Sequence, residues 1–559
     1  MYVFMLRLSQ KASQSLKENM NRSNVHLFDL PDEILLIILN KLNNIGVLYS
    51  LLDINNGRLN VLAQENTFTN ILKFVSIDDT SLINRFCIDI LPRIHRNVKC
   101  FIFDPIFMER ILLTTDYPNL IELKIHNFHE EISLNYFTNK SSLRSIFQEQ
   151  ITNLILINND ECARTCSSDY TAEIYAHILT FFKNLKILRI IEPSVVSYPP
   201  LSLCYFPSTT FSSSILTHLY INVQTFDDCL CLLDGRLKQL TTLFVTVCCA
   251  FNYSRTIHNM NKLPNLKCFS LQIFYEFQPY DRIASLLYRM PNLEKLTLNI
   301  SIKDRNSVID GTYIQHDIFD CMPQLHSFTF YVCTYVETVD LSYKLSSEDI
   351  QQTLMNIGLQ DVTSIVNYDC DSRVACSIFS LSFQFRYLKD LGNKFPNIVF
   401  SYVTHLHVKD NDPFRHEFFV RIAKSFPLLK YLHIYNVRSS LPVDLMTFTS
   451  DNCQLYSTIE YSHLTTLGLS CAHREYVEQF LNETKIYMPC LMDLLVKLDD
   501  LIVVTKNFTR NETRRNCTKV KTLFIVPPRL DVEGLCDYFP SLYKLTIFFK
   551  CEEILTIND

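Results

Sequence analysis

The chain has 559 residues and a net charge of −6, and 48% of its residues are hydrophobic. This small negative charge argues against nucleic acid as a major partner, because nucleic-acid binding requires a basic surface. No apolar run reaches the roughly 18 residues that a membrane-spanning helix needs, and the first residues do not lead into the apolar core and cleavage site of a signal peptide. We therefore expect a protein of the cytoplasm, the nucleus or both, with no membrane partner.

The 20 cysteines are scattered, and many lie inside apolar segments. Free cysteine packs there as a small hydrophobic residue, which favours a reducing compartment. Among the closest pairs are Cys162 with Cys166 and Cys229 with Cys231. Neither pair has a second Cys or His pair at zinc-site spacing, so we expect no metal site and no other cofactor.

The N-terminal 26 residues are polar with a weak positive bias, which predicts a flexible arm over residues 1–26. The stretch 28–42 then predicts a helix, since Pro31 suits its first turn and two acidic residues follow where the helix dipole favours negative charge. A helix with one buried stripe needs apolar residues only at i, i+3, i+4 and i+7. That stripe is supplied by Ile34, Leu35, Ile38, Leu39 and Leu42. The surplus apolar residues Leu36 and Ile37 indicate a second apolar surface, made for a partner.

The same stretch resembles a known family. Its run Leu30-Pro31-Asp32-Glu33-Ile34-Leu35, followed by apolar residues at 38, 39 and 42, is similar to the opening of an F-box. The resemblance continues more weakly over residues 48–62, where the tryptophan usual in that family is missing. It implies an F-box-like helical domain over residues 27–75. The alternative is a buried amphipathic helix that begins with Leu-Pro by chance.

From about residue 80 the pattern apolar-x-x-apolar-x-apolar recurs sixteen times, mostly at spacings of about 22 to 34 residues, as in Leu120/Leu123/Ile125 and Leu491/Leu494/Val496. This period and core are the signature of leucine-rich repeats. Each core predicts a short strand, and apolar return segments such as 317–322, 417–423 and 476–481 predict helices. Residues 80–559 are thus expected to form an α/β fold, an irregular leucine-rich-repeat solenoid with a parallel sheet inside and helices outside. The rival fold is an ordinary doubly wound α/β protein.

One interval in the repeat series is twice the usual length, between the cores at Leu325 and Ile378/Leu381/Phe383. The segment 331–377 contains a helix signal with Ser347 as N-cap and Gly358 as the residue that ends it. Two interpretations stay open. The segment is either one degenerate repeat plus a helix, or an insertion that projects from one face and makes a specific contact.

Strand positions outside the core should face the concave side of the sheet. They carry a mixture of aromatic, histidine and basic side chains that suits protein recognition. A simply solvated sheet is the alternative for any single position. The candidates are Lys124, His126, Lys186, Arg189, His218, Tyr220, Lys295, Thr297, His405, His407, Lys430, Tyr431 and His433.

The usual signatures of an enzyme are missing from the sequence. It has no closely spaced glycines to cradle a phosphate, no Gly-x-Ser-x-Gly and no His-Glu-x-x-His. Those motifs supply phosphate binding, a nucleophile or a catalytic zinc. We therefore expect no enzymatic activity, and an enzyme would require a pocket in which polar groups converge.

An F-box-like segment followed by leucine-rich repeats resembles the substrate-receptor subunits of SCF-type ubiquitin ligases. The resemblance implies that the F-box binds a Skp-type adaptor, and through it a cullin-based ligase, while the repeats hold a protein substrate. Carried onto this chain, the adaptor-binding face is Leu30, Pro31, Ile34, Ile37 and Ile38, with Glu33 at its rim. The alternative is a leucine-rich-repeat interaction scaffold without ligase function, whose N-terminal helices only cap the solenoid.

Overall fold

The computed structural model describes residues 30–52, 56–77, 79–158, 168–191, 200–249, 261–278, 280–341, 344–368, 372–438, 458–526 and 534–547. The predicted arm at 1–26 and the pair Cys162/Cys166 lie outside these ranges. The chain divides into two compact units, one of Met1–Val247 with Phe251–Asn259 and one of Cys248–Ala250 with Met260–Asp559.

Unit 1 opens with four short helices in its described part, Asp32–Leu39, Asn44–Leu51, Gly57–Ala63 and Asn66–Thr69. Two asparagines cap them: Asn43 accepts from the N–H of Gly46, and Asn56 accepts from two N–H groups of the third helix. Such caps satisfy the amide groups that a helix N-terminus leaves free. The predicted helical character of this segment is confirmed over these ranges.

Seven parallel strands follow in chain order: β1 Ile71–Phe74, β2 Cys100–Phe103, β3 Glu122–Phe128, β4 Asn153–Asn158, β5 Ile187–Ile191, β6 His218–Val223 and β7 Thr242–Val247. Strand β1 lies inside the segment 27–75, for which the resemblance implied helices. Helical segments connect the strands at Thr80–Arg85, Phe86–Ile90, Leu91–Ile94, Pro105–Phe107, Met108–Leu112, Glu130–Tyr136, Ile146–Gln150, Ser168–Phe181 and Phe226–Leu232.

Equivalent repeat positions stack in register across these strands. The second apolar position of each core pairs with that of the next strand, giving a buried row of Leu123, Leu154, Leu188, Leu219 and Leu243. We call such a row a leucine ladder. Unit 2 has a second one at Leu406, Leu432, Leu467, Leu494 and Leu523. All predicted cores except that at Ile378 lie on parallel strands, so those strand predictions are confirmed.

Unit 2 begins with a mixed sheet. Strands β8 Cys268–Phe277, β9 Lys295–Ile302 and β10 Ser327–Glu337 are parallel. Strands β11 Val362–Tyr368 and β12 Arg373–Ser380 then form an antiparallel pair, and β12 lies antiparallel to β10. The segment 331–377 is therefore a helix–hairpin insertion that ends the parallel series.

A second sheet follows, in which β13, β14, β15, β17, β19, β20 and β21 are all parallel. Strands β16 and β18 pair separately with each other. The bounds are β13 Tyr387–Leu391, β14 His405–Lys409, β15 Tyr431–Asn436, β16 Ile459–Glu460, β17 Thr466–Ala472, β18 Ile486–Tyr487, β19 Asp493–Lys497, β20 Thr522–Val526 and β21 Lys544–Ile547.

The helical segments of unit 2 connect most of its strands. Residues 417–423 and 476–481 lie inside observed helices, as predicted, whereas 317–322 only overlaps a helical turn that ends at Phe319. The segments are Tyr280–Leu287, Gly311–Ile314, Gln315–Phe319, Thr338–Asp340, Ser347–Asn356, His416–Ser425, Arg474–Leu481, Leu498–Val504, Asn511–Thr513, Arg514–Cys517 and Leu535–Tyr538.

The predicted repeat core Ile378/Leu381/Phe383 is wrong. Strand β12 ends at Ser380, and it runs antiparallel, so the last two residues of that core lie outside any strand. The six residues between Arg373 and Ser380 are all buried. In a strand that is buried on both faces, successive residues are apolar instead of alternate ones. The repeat pattern was therefore matched to this strand in the wrong register.

The insertion helix Ser347–Asn356 forms almost as predicted. Its N-cap is Ser346 rather than Ser347, because the Ser346 hydroxyl accepts from the N–H of Asp349 at 3.1 Å. Gly358 ends it with a φ of +86°, the left-handed conformation that favours glycine. The helix packs closely on the segment at Gly311, where an added Cβ would lie 2.1 Å from the carbonyl oxygen of Thr353.

The chain is thus a mixed α/β protein with mostly parallel sheets and connecting helices. Among the described residues, no helix combines the length and the apolar character needed to cross a lipid bilayer.

Candidate functional site

The first helix, Asp32–Leu39, presents an exposed apolar surface. Its buried residues are Leu35 and Leu39. Three isoleucines on the same helix are open to solvent, with exposed fractions of 43% for Ile34, 58% for Ile37 and 36% for Ile38. We call these three side chains the isoleucine face.

The predicted buried stripe of this helix is corrected by that result. The stripe pattern placed Ile34 and Ile38 among the buried residues, whereas the resemblance placed them on the adaptor-binding face. Both are exposed. The helix is only eight residues long and contacts its neighbours through one i, i+4 pair, so a single narrow stripe is covered. More apolar surface is exposed on this helix than the stripe pattern predicted.

The residues of the predicted adaptor-binding face share this exposure. Pro31 and Glu33 are exposed beside the isoleucine face, and Leu30 is half-buried. Arg58 of the third helix holds the start of the first helix, since its Nε contacts Asp32 at 2.6 Å and its Nη2 donates to the carbonyl of Leu30 at 2.5 Å. The face is therefore presented by a helix anchored at its N-terminus.

The candidates on the sheet face opposite the ladders separate into two groups. Nine of them are half-buried or exposed and do not line the cavity that contains the other four: Lys124, His126, Lys186, Arg189, His218, Tyr220, Lys295, Thr297 and Lys430. The other four come together in unit 2, in one cavity of about 300 Å³. They are His405, His407, Tyr431 and His433.

This cavity, which we call the unit 2 pocket, lies where the mixed sheet of unit 2 gives way to the second sheet. Its walls come from strands β8, β9, β10 and β12 on one side and from β13, β14 and β15 on the other. The hairpin insertion supplies Arg373 to it. Interruption of the parallel series thus creates the pocket.

Aromatic rings form one wall of the pocket. Tyr387, His405 and Tyr431 are register partners on β13, β14 and β15. The ring centroids of Tyr387 and His405 are 4.3 Å apart, and those of His405 and Tyr431 are 5.6 Å apart, with interplanar angles near 25° in both pairs. Burial, followed by the charges of Arg386 and Lys430, lowers the pKa of His405 to about 4.

Asp390 lies at the centre of a hydrogen-bond network. Its carboxylate accepts from the Tyr335 hydroxyl and, at 3.1 Å, from Nδ1 of His407. The residue has a φ of +53° within an irregularity of β13, a strained conformation of the kind that re-aims a side chain. Burial opposes ionisation, but the hydrogen bonds from His407 and Tyr335 outweigh it and lower the pKa of Asp390.

Beside this network lies His433, which is only 1% exposed. Neither of its ring nitrogens has a hydrogen-bond partner among the described residues, and the same holds for Nε2 of His407. The two rings are 4.9 Å apart. Burial, with a smaller contribution from His407, lowers the pKa of His433 to about 3, so its imidazole is neutral at physiological pH.

Gly468 makes room for this imidazole. It is the register partner of His433 on β17, and an added Cβ would lie 2.3 Å from Cδ2 of the ring. The position therefore excludes any larger residue unless the His433 ring moves.

Charged side chains complete the pocket, and the sequence did not single them out. Arg373 contacts Glu276 at 3.5 Å, and Lys389 donates to the carbonyl of Phe274 at 2.7 Å. Lys409 lies 4.8 Å from the ring centroid of Tyr435. Each of these cations thus has a partner within the protein.

The residues that sequence reasoning missed are mainly those that depend on the insertion. Strand alternation placed the β14 and β15 residues on one face, but Asp390 follows a backbone irregularity that no alternation predicts. Tyr335 lies in a stretch of β10 where seven successive residues are buried, so it carries no periodic signal. The spacing Phe385-x-x-Leu388 matches the first two positions of a repeat core. A core assigned there would have predicted strand β13.

The pocket contains converging polar groups, the feature required of an enzyme. Nε2 of His407 has no hydrogen-bond partner among the described residues, so within them the Asp390–His407 pair contacts no hydroxyl or thiol in the way that a nucleophile and its base do. Within the same residues, no group of three or more His, Cys, Asp or Glu side chains is arranged to hold a metal ion.

Neither a scan against models of protein families nor a search of curated proteins finds a match to this chain. Its function must therefore be argued from its own residues and their geometry.

Proposed function

We propose that this chain is the substrate-receptor subunit of an SCF-type ubiquitin ligase. In this role the first helix binds a Skp-type adaptor that connects to a cullin-based ligase, and the repeats hold a protein substrate. The isoleucine face carries the proposal. Three exposed isoleucines on one eight-residue helix form an apolar patch of the kind that marks a protein-interaction site.

The register of the strands supports the repeat half of the proposal. Equivalent leucines stack from strand to strand in both units, as expected for leucine-rich repeats whose cores have the same spacing. Such a stack leaves the alternate side chains on the opposite face available for a substrate. His405, His407 and Tyr431 occupy alternate positions of this kind and are half-buried.

The proposed mechanism needs no covalent chemistry on this chain. A substrate held on the repeats is kept near the ubiquitin-conjugating enzyme, which raises its effective concentration there. Ubiquitin transfer then depends on geometry between the adaptor-binding helix and the substrate-binding face, and not on an acid, base or nucleophile of the receptor.

A second candidate function is an interaction scaffold whose N-terminal helices only cap the repeats. It is favoured by the contact between the helices and the first strand, where the Asn44 amide donates to the carbonyls of Thr67 and Ile71 at 3.2 and 2.9 Å. A cap of this kind needs no exposed isoleucines. The two candidates therefore differ in their predictions for the isoleucine face.

Replacing Ile37 with glutamate should abolish co-purification of a Skp-type adaptor with the full chain. The substitution places a charge in the centre of the exposed face, where a bound adaptor would have to desolvate it. The thermal midpoint should not change, because Ile37 makes little contact with the rest of the protein. The measurement is affinity purification followed by mass spectrometry, together with a thermal melt.

The matched control is Ile106→Glu, since Ile106 is 80% exposed in another part of unit 1. It should retain the adaptor. The double substitution Leu30→Ala/Pro31→Ala should behave like Ile37→Glu. Adaptor bound equally by Ile37→Glu and by the unchanged chain would contradict the proposal, and complete absence of an adaptor from the unchanged chain would favour the scaffold.

A further inference from the structure

The sheet of unit 1 carries an ordered row of side chains on the face opposite its leucine ladder. One residue of each strand from β1 to β7 pairs in register with the equivalent residue of the next strand. All seven side chains are half-buried or exposed. We call them the alternating row. In strand order they are Lys73, Ile102, Lys124, Ile155, Arg189, Tyr220 and Phe244.

The three cations of this row lie on alternate strands. Lys73, Lys124 and Arg189 belong to β1, β3 and β5, and neighbouring strands are about 4.8 Å apart, so the cations repeat at about 10 Å. Among the described residues, neither lysine forms a hydrogen bond or an ion pair. The Arg189 guanidinium lies 4.1 Å from the ring centroid of Tyr220 and donates to its hydroxyl at 3.3 Å, so its partner is neutral. No described carboxylate therefore forms an ion pair with any of the three cations.

Two carboxylates lie near the row, and each accepts hydrogen bonds from neutral groups. Glu122 accepts from the Asn153 amide at 3.2 Å and from a cysteine thiol at 3.4 Å. Asp104, just past the end of β2, accepts from a backbone N–H at 2.8 Å and from a side-chain amide at 2.9 Å. Both carboxylates are thus held away from the cations by other hydrogen bonds.

The charge of the row acts on a histidine beside it. Burial, followed by the charge of Lys124, lowers the pKa of His126, and Lys73 adds to this shift while Asp104 opposes it. A cation nearby disfavours the protonated imidazole, so this shift agrees with a face on which cations outnumber carboxylates. Negative charge on a partner complements such a face.

The positions between the cations are apolar. Ile102 and Ile155 separate the three cations in the row. Ile157 and Ile191, which pair with each other on β4 and β5, extend the apolar surface beside Ile155. The side chain of Ile191 is 43% exposed. The face therefore offers apolar contact as well as charge to a partner.

The aromatic end of the row favours a protein partner over a nucleic acid. Tyr220 lies between Arg189 and Phe244, with its ring centroid 4.5 Å from that of Phe244 and an interplanar angle of 14°. The guanidinium and the Phe244 ring thus take up the stacking surface of Tyr220. Single-stranded nucleic acids need free ring faces on which their bases stack.

The spacing of the row matches one face of an α-helix. In a helix that lies across the strands, residues i and i+7 share a face and are about 10.5 Å apart, and residues i+3 and i+4 lie between them. Carboxylates at i, i+7 and i+14 therefore reach the three cations, while apolar residues between them meet Ile102 and Ile155. An extended strand does not fit, because its side chains on one face repeat at about 6.7 Å.

We propose that the alternating row binds an amphipathic helix of a partner protein, with helix carboxylates against Lys73, Lys124 and Arg189 and apolar helix residues against Ile102 and Ile155. Recognition of this kind places one face of a helix against a complementary surface. The identity of the partner as the substrate for ubiquitination rests on the proposed receptor function. The binding of such a helix does not.

The test is fluorescence anisotropy of a labelled peptide titrated with the purified full chain, without any adaptor. The first peptide is a helix-forming sequence of about 20 residues, with glutamate at i, i+7 and i+14, leucine at i+3, i+4, i+10 and i+11, and alanine or glutamine elsewhere. The second has the same composition, with its glutamates moved to the opposite face. We expect the first to bind with a Kd below about 1 mM and the second at least about tenfold more weakly.

Charge reversal locates the site. Lys73→Glu/Lys124→Glu should weaken binding of the first peptide by at least about tenfold, because like charges then face each other. The matched control Lys140→Glu/Lys183→Glu makes the same change in net charge at exposed lysines of the connecting segments, and should alter the affinity less than about twofold. A third peptide, with lysine in place of each glutamate, should bind the row variant at least about tenfold more tightly than it binds the unchanged chain. This rescue requires a folded row variant.

Ile37→Glu separates this result from adaptor binding, since it should bind the first peptide like the unchanged chain. The proposal is overturned if the first peptide does not saturate below about 1 mM, or if the two glutamate peptides bind equally. Equal losses of affinity in the row variant and its matched control would overturn it as well. Tighter binding of a labelled single-stranded oligonucleotide than of the first peptide would overturn it in favour of nucleic acid.

Discussion

Replacing Asp390 with alanine should lower the free energy of unfolding by about 3 to 5 kcal/mol, the range measured when one partner of a buried ionic network is removed. The Asp390 side chain is 14% exposed and the His407 side chain 20% exposed. Without the carboxylate, the Tyr335 hydroxyl and Nδ1 of His407 both lose their acceptor. Alanine also tolerates the φ of +53° poorly.

Urea unfolding of the full chain measures this loss, and Asp390→Asn is the matched control. Asparagine accepts from His407 through its amide oxygen, donates to the Tyr335 hydroxyl and adopts the left-handed conformation more readily. It should therefore retain a large part of the stability. A loss below about 1 kcal/mol for alanine, the net contribution of a single ordinary hydrogen bond, would contradict the network described for Asp390.

The second large effect is expected at His433, where a substitution should raise the free energy of unfolding instead of lowering it. Replacing His433 with leucine should raise the free energy of unfolding at pH 7 by about 1 to 3 kcal/mol. The reason is that the imidazole is buried without a partner among the described residues, which costs its full desolvation penalty.

The same substitution should remove part of the acid sensitivity. The pKa of His433 is about 3 in the folded chain and about 6.5 when unfolded. Between these values the unfolded chain binds more protons, so the stability of the unchanged chain falls as pH decreases from about 6.5. Each pH unit in this window costs about 1.4 kcal/mol for one such group, or roughly 3 kcal/mol by pH 4.

Urea unfolding at pH 7 and pH 4.5 tests both statements about His433→Leu. The stability advantage of the variant over the unchanged chain should grow as the pH falls. His316→Leu is the matched histidine-to-leucine control, because the His316 side chain is 69% exposed and its ring contacts Asp320 across one helical turn. It should change the free energy of unfolding at pH 7 by less than about 0.5 kcal/mol. A His433→Leu variant that is less stable at pH 7 and keeps the full acid sensitivity would contradict the account of this residue.

The sequence predicted those parts of the fold that follow from the local periodicity of apolar residues. Each repeat core places its leucines on a strand by alternation, and leucines such as Leu154 and Leu467 are buried there. The hairpin β11–β12 escaped prediction because the residues of β12 are buried on both faces and show no alternation. Strand β1 was not predicted, because it lies within a segment whose similarity to an F-box implied helices.

The candidate sites were predicted in part for related reasons. Alternation put His405, His407 and His433 on one face, which the structure confirms. The position of Asp390 depends on a strand irregularity, and that of Tyr335 on how the insertion returns β12 beside β10. The exposure of Ile34 and Ile38 depends on how few neighbours reach the first helix, and the helix sequence alone does not specify this.

Hydrogen–deuterium exchange of the full chain, with and without a purified Skp-type adaptor, tests the proposed receptor function most directly. We expect the adaptor to slow amide exchange in the first helix, Asp32–Leu39, and in the third helix, whose Arg58 contacts it. Exchange on strands β13 to β15 should not change. Unchanged exchange in the first helix, or protection confined to the repeats, would contradict the assignment of the isoleucine face as the adaptor-binding surface.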